Sequence, residues 1–203
     1  PVSIIIPDGT GVAGISTLAI AGVPAGLAMG EVKVSMNITH SWAGDVDVNI
    51  KAPNNAVLNL VGGLDNGGGL NSTANFTNTA FSSLGGATIS GAAAPRTGTY
   101  AAEARTGYGP TGYIQTVNNW AALTPTTASA NGNWTLAMGD FGNGDVGTLT
   151  SWSISVTYIT GVPSTTATWS PVAGLFNDAL ATIPYAGTAR DTVWAQPTTI
   201  GAN

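Results

Sequence analysis

The chain has no cysteine, a single histidine, and five Lys+Arg against ten Asp+Glu in 203 residues. Without cysteine there is no disulfide, no thiolate zinc site and no thiol nucleophile. With His40 alone, the three nitrogen or sulfur ligands of a catalytic zinc cannot be assembled, and any Ser-His-Asp machinery would have to be built on this one imidazole. A net charge of -5 and a pI near 4.3 leave no electropositive stripe to neutralise phosphates, which argues against nucleic-acid and anionic-membrane partners and favours cations. Long apolar runs are missing too: "LAIAGVPAGLAM" is too short, and too broken by Gly and Pro, to span a bilayer. Helix-period segments with Lys/Glu faces are nearly absent. Such a charge-poor, Thr/Asn/Gly-rich composition is commoner in exported bacterial surface proteins, so secretion or a cell-surface location is expected.

What is present is alternation. In "EVKVSMNIT", Val32, Val34, Met36 and Ile38 face one way and Lys33, Ser35, Asn37 and Thr39 the other, the signature of a half-buried strand. The same period places Val46, Val48 and Ile50 inward in "DVDVNI", Leu58 and Leu60 in "AVLNLV", Trp134, Leu136 and Met138 in "NWTLAM", and Trp152, Ile154, Val156 and Tyr158 in "SWSISVTY". Weaker strands are predicted at "VSIII", "STLAIAG", "NFTNTAF" and "ATIS", and a weak helical turn in "GYIQTVNNWAAL". Asn-Gly and Gly-Gly steps punctuate these segments, as in an antiparallel sandwich or jelly roll. After Tyr158 the chain turns Pro/Thr-rich. Residues 1–160 therefore read as one all-β sandwich, and 161–203 as a linker with the start of a following module, or an arm. The beginning at Pro1 and the ending "TTIGAN" suggest a piece of a longer protein.

Two acidic groups could carry chemistry. Asp45 and Asp47 lie two apart in a predicted strand, hence on one face, a spacing that suits either the acid and base of a glycosidase or two oxygen ligands of one cation. "GDFGNGDVGT" sets Asp140, Asn143 and Asp145 among glycines that let oxygens converge; calcium takes six to eight such ligands, but an Asn-Gly turn whose aspartates bond turn amides explains the loop equally well. Asp65 in "GGLDNGGG" is a third candidate of the same chemistry, and none of the three has EF-hand spacing. Since cation ligation recurs in all three places, Asp45, Asp47, Asp65, Asp140, Asn143 and Asp145 form the expected metal-ligand set. His40 is read as a strand cap bonded to a neighbouring loop in preference to a general base. Trp134 and Trp152 are in phase with core residues, whereas Trp42 and Trp120 are candidates for an exposed sugar-stacking surface.

Taken in order, "IPDGTG" at 6–11, "VKVSMNITHSWAGDVDVNIKAPNNAVLNLV" at 32–61, "NFTNTAF" at 75–81, "AAAPRTGTYAAE" at 92–103 and "NGNWTLAMGDFGNGDVGTLTSWSISVTY" at 131–158 resemble the P domain, or Homo B domain, of proprotein convertases and kexin-like proteases. The resemblance implies a jelly-roll β-sandwich of eight or nine antiparallel strands, galactose-binding-like in shape, with no catalytic role of its own. Such a domain supports the folding, stability and calcium or pH response of a neighbouring protease domain. Ser82 and Ser83 stand where the family commonly has an acidic pair, which would weaken a cation site relying on those acids. The expectation is a calcium-stabilised, non-enzymatic accessory domain of a secreted multidomain bacterial protein, in contact with neighbouring domains of the parent chain and able to dimerise through an edge strand. The alternative is a carbohydrate-binding or adhesive module; a hydrolase working through Asp45 and Asp47 is a third class.

Overall fold

Thirteen residues of alternating apolar and polar side chains, Ala28–His40, form the central strand of the molecule, with Val32, Val34, Met36 and Ile38 buried as expected. The computed structural model describes residues 2–62, 75–93, 95–160, 168–190 and 192–195. Two compact units are present, Pro1–Thr160 and Gly161–Asn203.

In the first unit the described strands are β1 (Ile4–Ile6), β2 (Gly14–Ile20), β3 (Ala28–His40), β4 (Val46–Lys51), β5 (Val57–Val61), β6 (Phe76–Ser82), β7 (Arg96–Tyr100), β8 (Gly132–Asp140) and β9 (Gly147–Ile159). They pack as two layers, a five-stranded sheet in the order β1-β9-β3-β6-β7 and a four-stranded sheet in the order β2-β8-β4-β5. Most consecutive strands change sheet, so the connections cross between layers as in a jelly roll. All pairings are antiparallel except β6 with β7. The inner faces meet in one core of Val34, Ile50, Leu58, Phe81, Leu136 and their neighbours, with the fully buried Trp134 donating its indole N–H to the Ala130 carbonyl at 2.8 Å.

The outer face of β4 is covered as well. Asp47 and Asn49, which alternation places opposite Val46, Val48 and Ile50, are buried beneath the long connection that follows β7. Asn49 Nδ2 donates to the carbonyls of Tyr108 (3.0 Å) and Tyr113 (2.6 Å), and Asn59 Nδ2 donates to Asn49 Oδ1 (2.7 Å). Gln115 Oε1 accepts the Asn59 amide, and Thr116 and Val117 both donate to the Val57 carbonyl, so the connection also closes the outer edge of β5. Gly109 is required here: its φ is +129°, and a Cβ would fall 2.0 Å from Asn49 Nδ2.

Three local expectations differ from the structure. "ATIS" is not a strand but a 3₁₀ turn, Ile89–Gly91, preceded by a single bridge from Thr88 to Ala101. β7 was not anticipated, because "RTGTY" has no apolar alternation; it is held by parallel pairing to β6. Trp152 is half-buried, since it lies near the side of the sandwich where both sheets end. The predicted helical turn is present as the short helix α1 (Trp120–Leu123), capped by Asn119 Oδ1 accepting the Ala122 amide at 2.8 Å.

In the second unit, β10 (Leu175–Phe176) pairs antiparallel with β11 (Trp194–Ala195). Asp178 organises the intervening turn, accepting from the Thr182 hydroxyl and from the amides of Thr182 and Ile183; the Thr182 hydroxyl, then the Ile183 amide, hold its carboxyl below the usual value. The Tyr185 ring is buried, and its hydroxyl donates to the Thr188 carbonyl at 2.8 Å.

Replacing Asn49 by Ala should destabilise the first unit by about 3 kcal/mol, because it strips buried carbonyls of their donor. Urea unfolding should show the loss, with faster proteolysis in 104–115 under native conditions; an unchanged midpoint would mean that the connection is held by other contacts.

Candidate functional site

The acidic residues of interest gather where β3 ends, β4 begins and β8 turns into β9. His40 closes β3, and its backbone amide donates to Asn75 Oδ1 at 3.0 Å. The chain then makes a 3₁₀ turn at Ala43–Asp45 before β4 starts at Val46. Asp45 therefore ends a turn and does not share a strand face with Asp47. The two carboxylates are held by different segments: Asp47 Oδ2 accepts the Gly109 amide at 3.0 Å and is buried, whereas Asp45 lies against Gly142, where a Cβ would fall 1.8 Å from Asp45 Oδ2. An acid and base flanking a sugar cleft is thus excluded for this pair as placed.

Asp140 is the last residue of β8 and not a loop residue, and it is fully buried. Its Oδ1 accepts the Gly142 amide at 2.9 Å, and its Oδ2 stands 3.3 Å from His40 Nε2. That approach is close enough for ion pairing but not aligned as a hydrogen bond, since neither atom makes one among the described residues. His40 Nδ1 accepts the Trp42 amide at 3.1 Å, which in the neutral ring leaves the proton on Nε2, facing the carboxylate. Gly147 makes room for the ring: a Cβ there would come within 2.1 Å of His40 Cδ2.

Around this pair the remaining acids are bonded to the loop. Asp145 Oδ1 accepts from Ser41 Oγ at 2.8 Å, and Ser41 Oγ in turn accepts the Val146 amide at 2.9 Å. Asn143 lies over Gly9, where a Cβ would fall 2.0 Å from its Oδ1. Asp8, which the sequence reading did not single out, accepts the Gly144 amide at 2.9 Å; the Asp-Gly step in "IPDGTG" was the signal that could have found it. Burial is the main force raising the Asp140 carboxyl above its ordinary value of 3.8, against the lowering effect of the Gly142 amide and of His40; Asp8 and Asp145 add to the rise by charge repulsion. Oxygens from three chain segments thus crowd one end of the sandwich, yet among the described residues no three His, Cys, Asp or Glu side chains converge as a metal-binding group. Asp65 lies outside the described residues. Neither candidate sugar platform is laid bare, for Trp42 is half-buried and Trp120 packs partly buried against the core.

A two-layer sandwich with jelly-roll crossovers and a histidine and aspartate sealed at one end defines an all-β domain with no open catalytic cleft at its histidine. The family model described as the proprotein convertase P-domain matches residues 29–156, from the start of β3 into β9, and the chain belongs to that family. This is an accessory domain of proteases and is not itself the catalytic one. No curated protein matches the chain. Among solved structures, the crystal structure of an Aeromonas sobria serine protease (ASP) and chaperone (ORF2) complex matches at 15% identity, over 77% of this chain and 25% of that one, with a TM-score of 0.38. The chain thus spans a quarter of that protein's length, at a similarity too low to bear on its role.

Because the native carboxyl of Asp140 holds its proton more tightly than the unfolded chain does, ionising it costs folded-state stability. The cost is present above the raised native pKa and is removed as pH falls through that value toward 3.8. The wild-type protein should therefore gain stability relative to Asp140→Asn as pH falls from about 7 to about 3.5. Denaturant midpoints of both proteins across that range test the sign; a gap that widens in the variant's favour at low pH would contradict it.

Proposed function

We propose that the first unit is a non-catalytic accessory domain attached to a protease in an exported multidomain protein, and that calcium stabilises it at the end of the sandwich where Asp8, Asp45, Asp140, Asn143 and Asp145 gather. Family membership supports the accessory role, and the observation that carries it is the state of the sole imidazole. His40 has a side chain with no exposure, one nitrogen bonded to the Trp42 amide and the other turned to Asp140, so no base is presented to a hydroxyl nucleophile. Export is supported by the charge-poor, hydroxyl-rich composition.

The calcium reading is supported by electrostatics. Asp8 and Asp145 repel the buried Asp140 carboxylate, and a cation there would offset that repulsion. Calcium accepts amide and carbonyl oxygens and water beside carboxylates, which suits a place where three side-chain carboxylates do not converge but Asn143 and a glycine-rich backbone are at hand. Asp47 takes no part, being committed to Gly109.

Thermal unfolding in excess chelator, then with calcium or magnesium restored, tests the metal. A calcium-specific rise in midpoint is expected, equivalent to about 2.7 kcal/mol at a free ion concentration a hundredfold above Kd, and smaller in Asp45→Ala. No rise would return these aspartates to turn chemistry. Screening chromogenic peptides and glycosides tests the absence of catalysis; turnover abolished by His40→Gln or Asp47→Asn would overturn it.

A further inference from the structure

One side of the sandwich is open. β1 covers the outer edge of β9 only at Gly147–Leu149, with one more bond from the Val2 amide to the Thr150 carbonyl. From Ser151 to Ile159, nine residues of β9 are paired to β3 on one side and have no strand partner on the other among the described residues. In the facing sheet β2 is likewise an edge, paired to β8 alone. Between the two edges the inward side chains are only half-buried: Trp152, Ile154, Val156 and Tyr158 from β9, Leu18 and Ile20 from β2. A single hydrogen bond crosses this seam, from Trp152 Nε1 to Ser16 Oγ at 2.9 Å. Natural edges of such length are commonly guarded by lysine, proline or an inward charge, yet "SWSISVTYI" and "GISTLAI" contain none of these.

We propose that this edge of β9 receives an extended segment of a partner polypeptide, which runs antiparallel to β9 in line with β1 and adds a strand to the five-stranded sheet. The edge supplies a row of backbone donors and acceptors, and the seam supplies an apolar wall of side-chain period two. The fitting segment is therefore uncharged, seven to nine residues long, with every second side chain apolar. A second copy of the chain fits poorly. Two-fold antiparallel pairing centred on Ser155 would set Thr160 of one copy opposite Thr150 of the other, where Val2 already occupies the edge. A short segment with free ends meets no such obstruction. The strand acceptor deepens the reading of the unit as a partner-contacting domain, but it requires neither calcium nor a protease donor.

The whole chain is titrated with a capped peptide of about nine alternating valine and threonine residues, and with the same peptide carrying prolines, while amide hydrogen exchange is followed along the sequence. Exchange at Ser151–Ile159 should slow about tenfold or more with the first peptide and not with the second, and β7, the opposite edge of the same sheet, should be unaffected. Val156→Thr, which keeps shape and removes an apolar contact, should weaken the peptide on the order of fivefold while the free protein unfolds cooperatively as before. No slowing at millimolar peptide, or slowing equally on β7, would overturn the proposal. Protection of Ser151–Ile159 that appears without peptide and grows with protein concentration would overturn it in favour of self-pairing. A calcium-independent result would leave the metal reading to its own test.

Discussion

The pairing of β3 with β9 is the constraint on which the rest depends. It runs from Ala28 opposite Ile159 to His40 opposite Gly147, and it fixes which side chains of both strands enter the core. Because the side-chain period of a strand is two, a slip of one residue would turn Val32, Val34 and Met36 outward and Lys33, Ser35 and Asn37 inward. The bulge between Asn37 and Ile38 is equally consequential. It lets Leu149 and Trp152 both face inward although they are three apart, and so brings His40 to the end of the strand beside Gly147 and Asp140.

The acidic end of the molecule follows from that placement. His40 arrives from β3, Asp140 from β8, and the turn between β8 and β9 folds back over both, so the chain's one imidazole is used to balance a carboxylate that burial would otherwise leave uncompensated. The surrounding aspartates are spent mostly on loop amides. The end is therefore both acidic and internally bonded, an arrangement that resists collapse by repulsion yet keeps unspent lone pairs on several oxygens.

Much of this was legible in the sequence, and for a physical reason. Strands that pack one face on a core must alternate, so β3, β4, β5, β8 and β9 declared themselves and their buried residues in advance. β7 did not, because its place is set by hydrogen bonds to β6 and its side chains are mostly exposed. Alternation also failed at Asp45: three residues after His40 wind into a 3₁₀ turn, and the strand face that seemed to join Asp45 to Asp47 does not exist. The burial of Asp47 and Asn49 was hidden too, since it depends on a connection more than fifty residues further along the chain. Pattern reads one strand at a time, whereas what covers its far side is decided elsewhere.

The same β3–β9 ladder has a bearing on synthesis. Every rung joins residues more than a hundred positions apart, so β3 leaves the ribosome long before its partner exists. Until Gly147–Ile159 has emerged, β3 can rest only against β6, and Trp134 and the inner face of β8 have an incomplete layer to pack upon. The unit must therefore wait, apolar and unfinished, until its final strand is delivered, and truncation anywhere within β9 removes the central rail of the larger sheet and not merely its end.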